Sequence, residues 1–251
     1  MDTGFERLTH PELWRVRAEA LAAGDRALAG AAAAEMAARE RRHFSGEMLD
    51  IYDDSMAPCG VRERGLVHLE GHWHRSFHCW LVAPARGALL LQRRSTAKEA
   101  NPGCLDTTVA GHYRTGEGPR EGCREAEEEI GLPVHPELLV PLGRALNTAR
   151  HGYLIDRELA DLFLYRTDAA LTDLRPDPAE VAEVLEVPIA GALGLFAGRA
   201  GEVAASAWVP GARVRRVAIR TSEFTSHHDR LLARVALQAE RLAQGLEPLP
   251  V

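Results

Sequence analysis

The stretch Gly111–Leu132, GHYRTGEGPREGCREAEEEIGL, limits what this chain can become more than any other. Asp106–Ala110, rich in Thr and Val, reads as a strand leading into it, so the order is strand, glycine-rich loop, helix. From Arg124 to Leu132 the spacing predicts a short exposed helix. At about 100° per residue, Glu125, Glu128 and Glu129 share one face, with Glu121 a turn earlier. Cys123, Ala126 and Ile130 fall opposite and are expected to pack on a core. Gly131 supplies the helix stop and Pro133 prevents continuation. Carboxylates this close repel, and Arg124 alone neutralises that face. A hard divalent cation with oxygen ligands relieves the repulsion, Mg²⁺ being the commonest in phosphate chemistry. A plain solvated acidic face is the simpler account, but it leaves the glycine-rich loop without a reason.

At 251 residues the chain holds one sizeable domain with additions, or two small ones. Its net charge of −6 argues against a general binder of nucleic acid or of anionic membranes. The four cysteines (Cys59, Cys79, Cys104 and Cys123) have no metal-ligand spacing and read as reduced thiols. The first residues, MDTGFERLTHPELW, lack the apolar core of a signal peptide, and the alanine-rich run near Ala31–Ala38 is too interrupted to span a bilayer. The expectation is a cytoplasmic protein. Lys98 is the only lysine and is conspicuous for that.

Residues 1–46 read as a helical extension. His10-Pro11-Glu12 opens a helix, Gly24-Asp25 breaks it, and an Ala-rich helix runs to about Arg42. This pair suggests a capping or dimer-forming element and carries no catalytic constellation. Residues 47–251 are expected to form the functional domain. Met48–Tyr52 is a strand, followed by a turn-rich Asp53–Gly60. Phe77–Ala83 and Ala88–Gln92 form a hairpin, and Ser95–Cys104 is a polar loop. Strands are expected within Glu137–Arg144, Leu154–Tyr165 and Glu180–Val184, a small helix at Ile189–Ala197, and a hairpin around Pro210-Gly211. Ser226 as N-cap, with Asp229 three residues on, opens a last amphipathic helix, with His227-His228 capping and solvated there. The fold class is α/β or α+β, a mixed sheet sandwiched between helices.

Gly111–Leu132 resembles the Nudix box, G-x5-E-x7-R-E-U-x-E-E-x-G-U, where U is a bulky apolar residue. Gly111 to Glu117 has the family's spacing, and Arg124 to Leu132 fits except for the small Ala126. Six residues separate Glu117 from Arg124 where the pattern has seven, which puts the pairing of those two residues in question. The segments Leu49–Asp53, Arg62–Gly65, Trp73–Trp80 and Leu91–Ser95 are similar to the isopentenyl-diphosphate-isomerase-like branch of that superfamily, and the likeness spans roughly residues 47–243.

The resemblance implies a divalent metal, Mg²⁺ with Mn²⁺ as a substitute, held by Glu125, Glu128, Glu129 and the Gly111 carbonyl, with Arg124 orienting the glutamates. Glu158 is implied as general base or further ligand. Arg94 and Lys98 match basic residues that grip a diphosphate, which suits a guanidinium fork beside a point charge. His74, His112 and Asp156, with Glu158 and the near match His68, fall where the isomerase holds a second metal. A His and carboxylate set favours Mn²⁺ or Zn²⁺. The catalytic cysteine of the isomerase is replaced here by Ala110, so an acid–base pair across an allylic system lacks half its members. The expected function is therefore Mg²⁺-dependent cleavage of the diphosphate linkage in a nucleoside diphosphate or related small molecule. An isomerase-like enzyme and a non-catalytic binding module of the same fold are the alternatives.

Overall fold

The computed structural model of the protein describes residues 4–225 and 230–251. Its chain divides into two compact units, one of residues 1–75, 113–116 and 146–159, the other of residues 76–112, 117–145 and 160–251.

The first unit begins with two helices. Thr9 opens α1 (His10–Ala22) with a capping box, its hydroxyl accepting the Glu12 N–H while the Glu12 carboxylate accepts the Thr9 N–H. Asp25 caps α2 (Arg26–His43) through the Leu28 N–H. Phe5, Leu13, Ala32 and Met36 close the small core between them. Strand β1 (Met48–Tyr52) then pairs antiparallel with β2 (Pro58–Glu63). Pro58–Gly60, expected within the turn-rich Asp53–Gly60, belongs to this strand. Every residue of β2 before Glu63 is exposed, so no apolar alternation marks the strand, and its register on β1 alone defines it. Glu63 caps α3 (Arg64–Glu70), and left-handed Gly71 ends it. Ile51 of β1 stands opposite His74, at the start of β3 (Trp73–Ala83).

In the second unit the order is β11-β10-β9-β4-β3, with β3 entering from Ser76 onward. Its remaining strands are β4 (Ala88–Arg94), β5 (Leu105–Asp106), β6 (Val109–His112), the first half of β7 (Val140–His151), most of β8 (Leu154–Arg166), β9 (Val181–Pro188), β10 (Val203–Trp208) and β11 (Arg215–Ile219). The registered strand pairs are antiparallel, and helices alternate with them, which makes the class α+β. The single strand expected at Asp106–Ala110 is two. β5 pairs with β4 and β6 pairs with β3. The chain changes partner at Thr107-Thr108, where the Thr108 hydroxyl donates to the Leu90 carbonyl and accepts the Leu81 N–H.

Among the described residues, the helices α4 (Pro119–Gly122), α5 (Arg124–Ile130), α6 (Ile189–Phe196) and α7 (Leu231–Ala243) complete this unit. The core joins Trp80, Leu91, Leu162, Leu185 and Ala205 to Val235 and Ala239 of α7. Ser226–Asp229, where the cap of α7 and the His227-His228 pair were expected, lie outside the described residues. No helix among the described residues is long and apolar enough to cross a membrane.

Candidate active site

β6 delivers Gly111 to the face of α5, within the second unit. A Cβ built on Gly111 would lie 2.1 Å from the Glu125 carboxyl carbon, so only glycine admits that carboxylate against the strand. Cys123, Ala126 and Ile130 are buried, as the helical spacing predicts. Glu125 and Glu129 are nearly buried too, which a simply solvated face would not produce, whereas the Glu128 side chain is half exposed. One oxygen of Glu129 accepts the Ala110 N–H at 3.1 Å and the Gln92 amide at 3.3 Å. Burial, and secondarily the charge of Glu125, push the Glu129 carboxyl from 4.5 up to about 8. Gln92 sits inside an apolar run of β4 and was not anticipated; a lone buried amide there is the signal that could have marked it.

Arg124 organises the cluster. Its Nε and Nη2 donate to the two oxygens of Glu117 at 3.2 and 3.0 Å, and Nη1 lies 2.6 Å from Glu125 and 3.0 Å from Glu128. Nη2 also donates to the His112 carbonyl at 3.0 Å. Burial alone would lower the guanidinium, but the Glu117 hydrogen bond and the surrounding carboxylate charges hold it above its ordinary value. The pairing that the shortened spacing put in question is therefore present. A break between α4 and α5 accommodates the missing residue: at Cys123 the helix tightens, and the Ala126 N–H reaches the Cys123 carbonyl three residues back. The Cys123 thiol, pushed up to about 11 by burial, is a packing group.

The two expected diphosphate anchors already hold carboxylates of this unit. Arg94 donates to Asp106 at 3.2 Å and to the Ala100 carbonyl at 3.1 Å, while Lys98 is ion-paired with Glu180. An anion bound at either cation competes with those partners.

The first unit holds a second group. His74, Asp156 and Glu158 present ligand atoms within 4.8 Å of one another. His68 joins them: its ring centroid is 4.9 Å from that of His74, and its Nε2 is 3.9 Å from Asp156. His68 Nδ1 lies 2.8 Å from the Arg64 carbonyl and His74 Nδ1 3.1 Å from the His72 carbonyl. A carbonyl only accepts, so these bonds put the proton on Nδ1 and leave the Nε2 lone pairs for Asp156 to face. Burial, with His74 second, lowers His68 to about 3, and burial lowers His74 as well, so both rings are neutral at pH 7. Two lone pairs and two carboxylates directed at one another suit a borderline divalent cation. His112 lies on β6 of the other unit, opposite Ser76.

Residues 72–209 match the family described as NUDIX domain. An uncharacterised Nudix hydrolase of Clostridium acetobutylicum is 32% identical over 145 residues, covering 57% of this chain and 70% of that protein. An isopentenyl-diphosphate Delta-isomerase of Streptomyces griseus is 34% identical over 151 residues, covering 57% of this chain and 72% of that one. Among solved structures, a Deinococcus radiodurans protein is similar with a TM-score of 0.46 and 23% identity, over 61% of this chain and 90% of that one.

Proposed function

Since the chain belongs to the NUDIX family, we propose that it is a hydrolase of the diphosphate linkage in a small molecule such as a nucleoside diphosphate or its derivative, working with Mg²⁺ or Mn²⁺. The observation that carries this reading is the fit of the Glu125 carboxylate against Gly111, with Glu129 buried beside the same strand. Donors of this kind, all oxygens and most of them carboxyl groups, suit a hard cation. Glu125, Glu128, Glu129 and the Gly111 carbonyl would hold it. When bound, the metal neutralises phosphate charge and lowers the pKa of a water molecule.

The chain's own residues supply the rest. Arg124 fixes the carboxylates and, through Glu117 and the His112 carbonyl, ties α5 to the loop before it. Arg94 and Lys98 bind the substrate's phosphates by exchanging Asp106 and Glu180 for them, which selects a doubly anchored, strongly anionic ligand. Glu158 lies in the first unit with His74 and Asp156, where it would serve as a ligand of that second group. This fits an enzyme with a small-molecule substrate.

A second reading, an isomerase-like enzyme, is favoured by the isomerase relatives and by the His74, Asp156 and Glu158 group of the first unit. Ala110 counts against it, since its side chain can move no proton and its N–H is given to Glu129. The separating experiment follows a panel of nucleoside diphosphate derivatives and isopentenyl diphosphate by ³¹P and ¹H NMR, with and without Mg²⁺ or Mn²⁺. Metal-dependent phosphate or nucleotide release supports the hydrolase. An allylic isomer formed without phosphate release replaces it with the isomerase, and tight binding of a diphosphate without turnover leaves a binding module.

A further inference from the structure

The N-terminal helices lie outside the family match, which begins at residue 72. They nonetheless grip the elements that carry the second ligand group, through contacts within the first unit. Arg39 of α2 is fully buried. Its guanidinium donates to the Leu8 carbonyl at 2.6 Å, to the Phe5 carbonyl at 2.8 Å and to Glu35 at 2.8 Å. Its remaining face lies 3.9 Å above the ring of Tyr153.

Tyr153 occupies the tip between β7 and β8, three residues before Asp156 and five before Glu158. Its hydroxyl contacts His43 Nε2 at 2.8 Å and accepts from Arg42 at 3.2 Å. Arg150, on the other side of the tip, donates to the Arg7 carbonyl at 2.9 Å. The same end of α2 holds α3, which bears His68. A Cβ on Gly65 would lie 2.3 Å from the His43 carbonyl, and Glu63, the cap of α3, accepts the Ser45 N–H and hydroxyl at 2.8 Å. Residues 39–46 thus touch both the tip that leads into the strand with the two carboxylates and the helix with one imidazole. Small shifts of either would change the separation of ligand atoms that must match a cation to within about 0.2 Å.

We propose that Tyr153 and Arg39 are positioning residues through which the N-terminal helices set the His68, His74, Asp156 and Glu158 group for a borderline divalent cation such as Mn²⁺ or Co²⁺. The proposal rests on the metal reading of that group. Groups bonded directly to metal ligands typically alter affinity 10–100-fold when removed, and Tyr153 and Arg39 act one step further out, so the lower end of that range is expected.

The probe is Co²⁺, whose visible absorption reports coordination independently of turnover. It is titrated into the full-length protein, and the bands lost in His74→Ala define this group. In Tyr153→Leu, the expected result is affinity lowered about tenfold with altered band positions. Tyr153→Phe, which keeps the ring under Arg39 and loses only the hydroxyl contacts, should fall between. It also stands in should the leucine variant fail to fold by circular dichroism. Arg39→Lys, lacking the planar fork, should resemble the leucine variant. Wild-type affinity and bands in folded Tyr153→Phe and Arg39→Lys would overturn the positioning role while leaving the metal reading intact. Absence of any His74-dependent bands in the wild type would remove the metal reading and the proposal together.

Discussion

Gly111 and Glu129 show how single residues define the carboxylate site. A methyl group at position 111 would occupy the space of the Glu125 carboxylate, so Gly111→Ala must displace either the strand or the ligand. Because only the flexible end of Glu125 stands in the way, the displacement falls on the ligand rather than on the fold. We expect the variant to fold, with Mg²⁺ affinity and turnover lowered roughly tenfold or more, measured by calorimetry and product release. Glu129 offers a pH test. Its folded value of about 8 lies above the ordinary 4.5, so between these limits the folded state keeps a proton that the unfolded state has lost. Its contribution to stability is therefore full below 4.5 and is lost as pH rises toward 8. Glu129→Gln should remove that loss from the urea-unfolding profile measured without metal. An unchanged slope in the variant would contradict the assignment. Mg²⁺ binding should release a proton near neutral pH, and bind more tightly as pH rises through the same range.

At the scale of elements, α5 and its loop were legible because charge, glycine and apolar positions obey one helical period. The sequence could not show how a box one residue short keeps Arg124 on Glu117, because that depends on a tightened turn at Cys123 rather than on residue type. Strand β2 escaped for want of alternation, and β5 and β6 were merged because Thr107 and Thr108 read as strand although the chain changes partners there. Glu180 is far from Lys98 in sequence, and Asp106 ends the short strand β5, so no local pattern points to either pair. Removing the organiser makes the element-scale prediction. Arg124→Ala leaves Glu117, Glu125 and Glu128 facing one another without their cation. Loss of one member of a partly buried charge network should destabilise by about 2 kcal/mol, below the 3–5 kcal/mol of fully buried pairs. Mg²⁺ should restore part of that loss in thermal melts, whereas a melting point unmoved by both changes would mean that the cluster is merely solvated.

For the molecule as a whole, two groups shifted by burial, one in each unit, titrate in opposite senses. The second unit loses stability at Glu129 as pH rises. The first loses it as pH falls, because His68 is held at about 3 against 6.5 in the unfolded chain and is driven neutral chiefly by burial. That contribution is complete above 6.5 and fades as pH drops toward 3. The wild-type profile is a sum of the two, so His68→Gln and Glu129→Gln should separate them: the first raises relative stability at pH 5, the second raises it at pH 8. The most direct test of the central proposal, metal-assisted diphosphate hydrolysis on the α5 carboxylates, is initial hydrolysis rate against Mg²⁺ concentration for the wild type and Glu125→Gln with the best substrate of the panel. The account predicts a rate that saturates with Mg²⁺ in the wild type and falls by more than roughly 100-fold in the variant, since losses one shell further out already cost 10–100-fold. Equal rates in the two proteins, or a wild-type rate indifferent to Mg²⁺ and Mn²⁺, would contradict it.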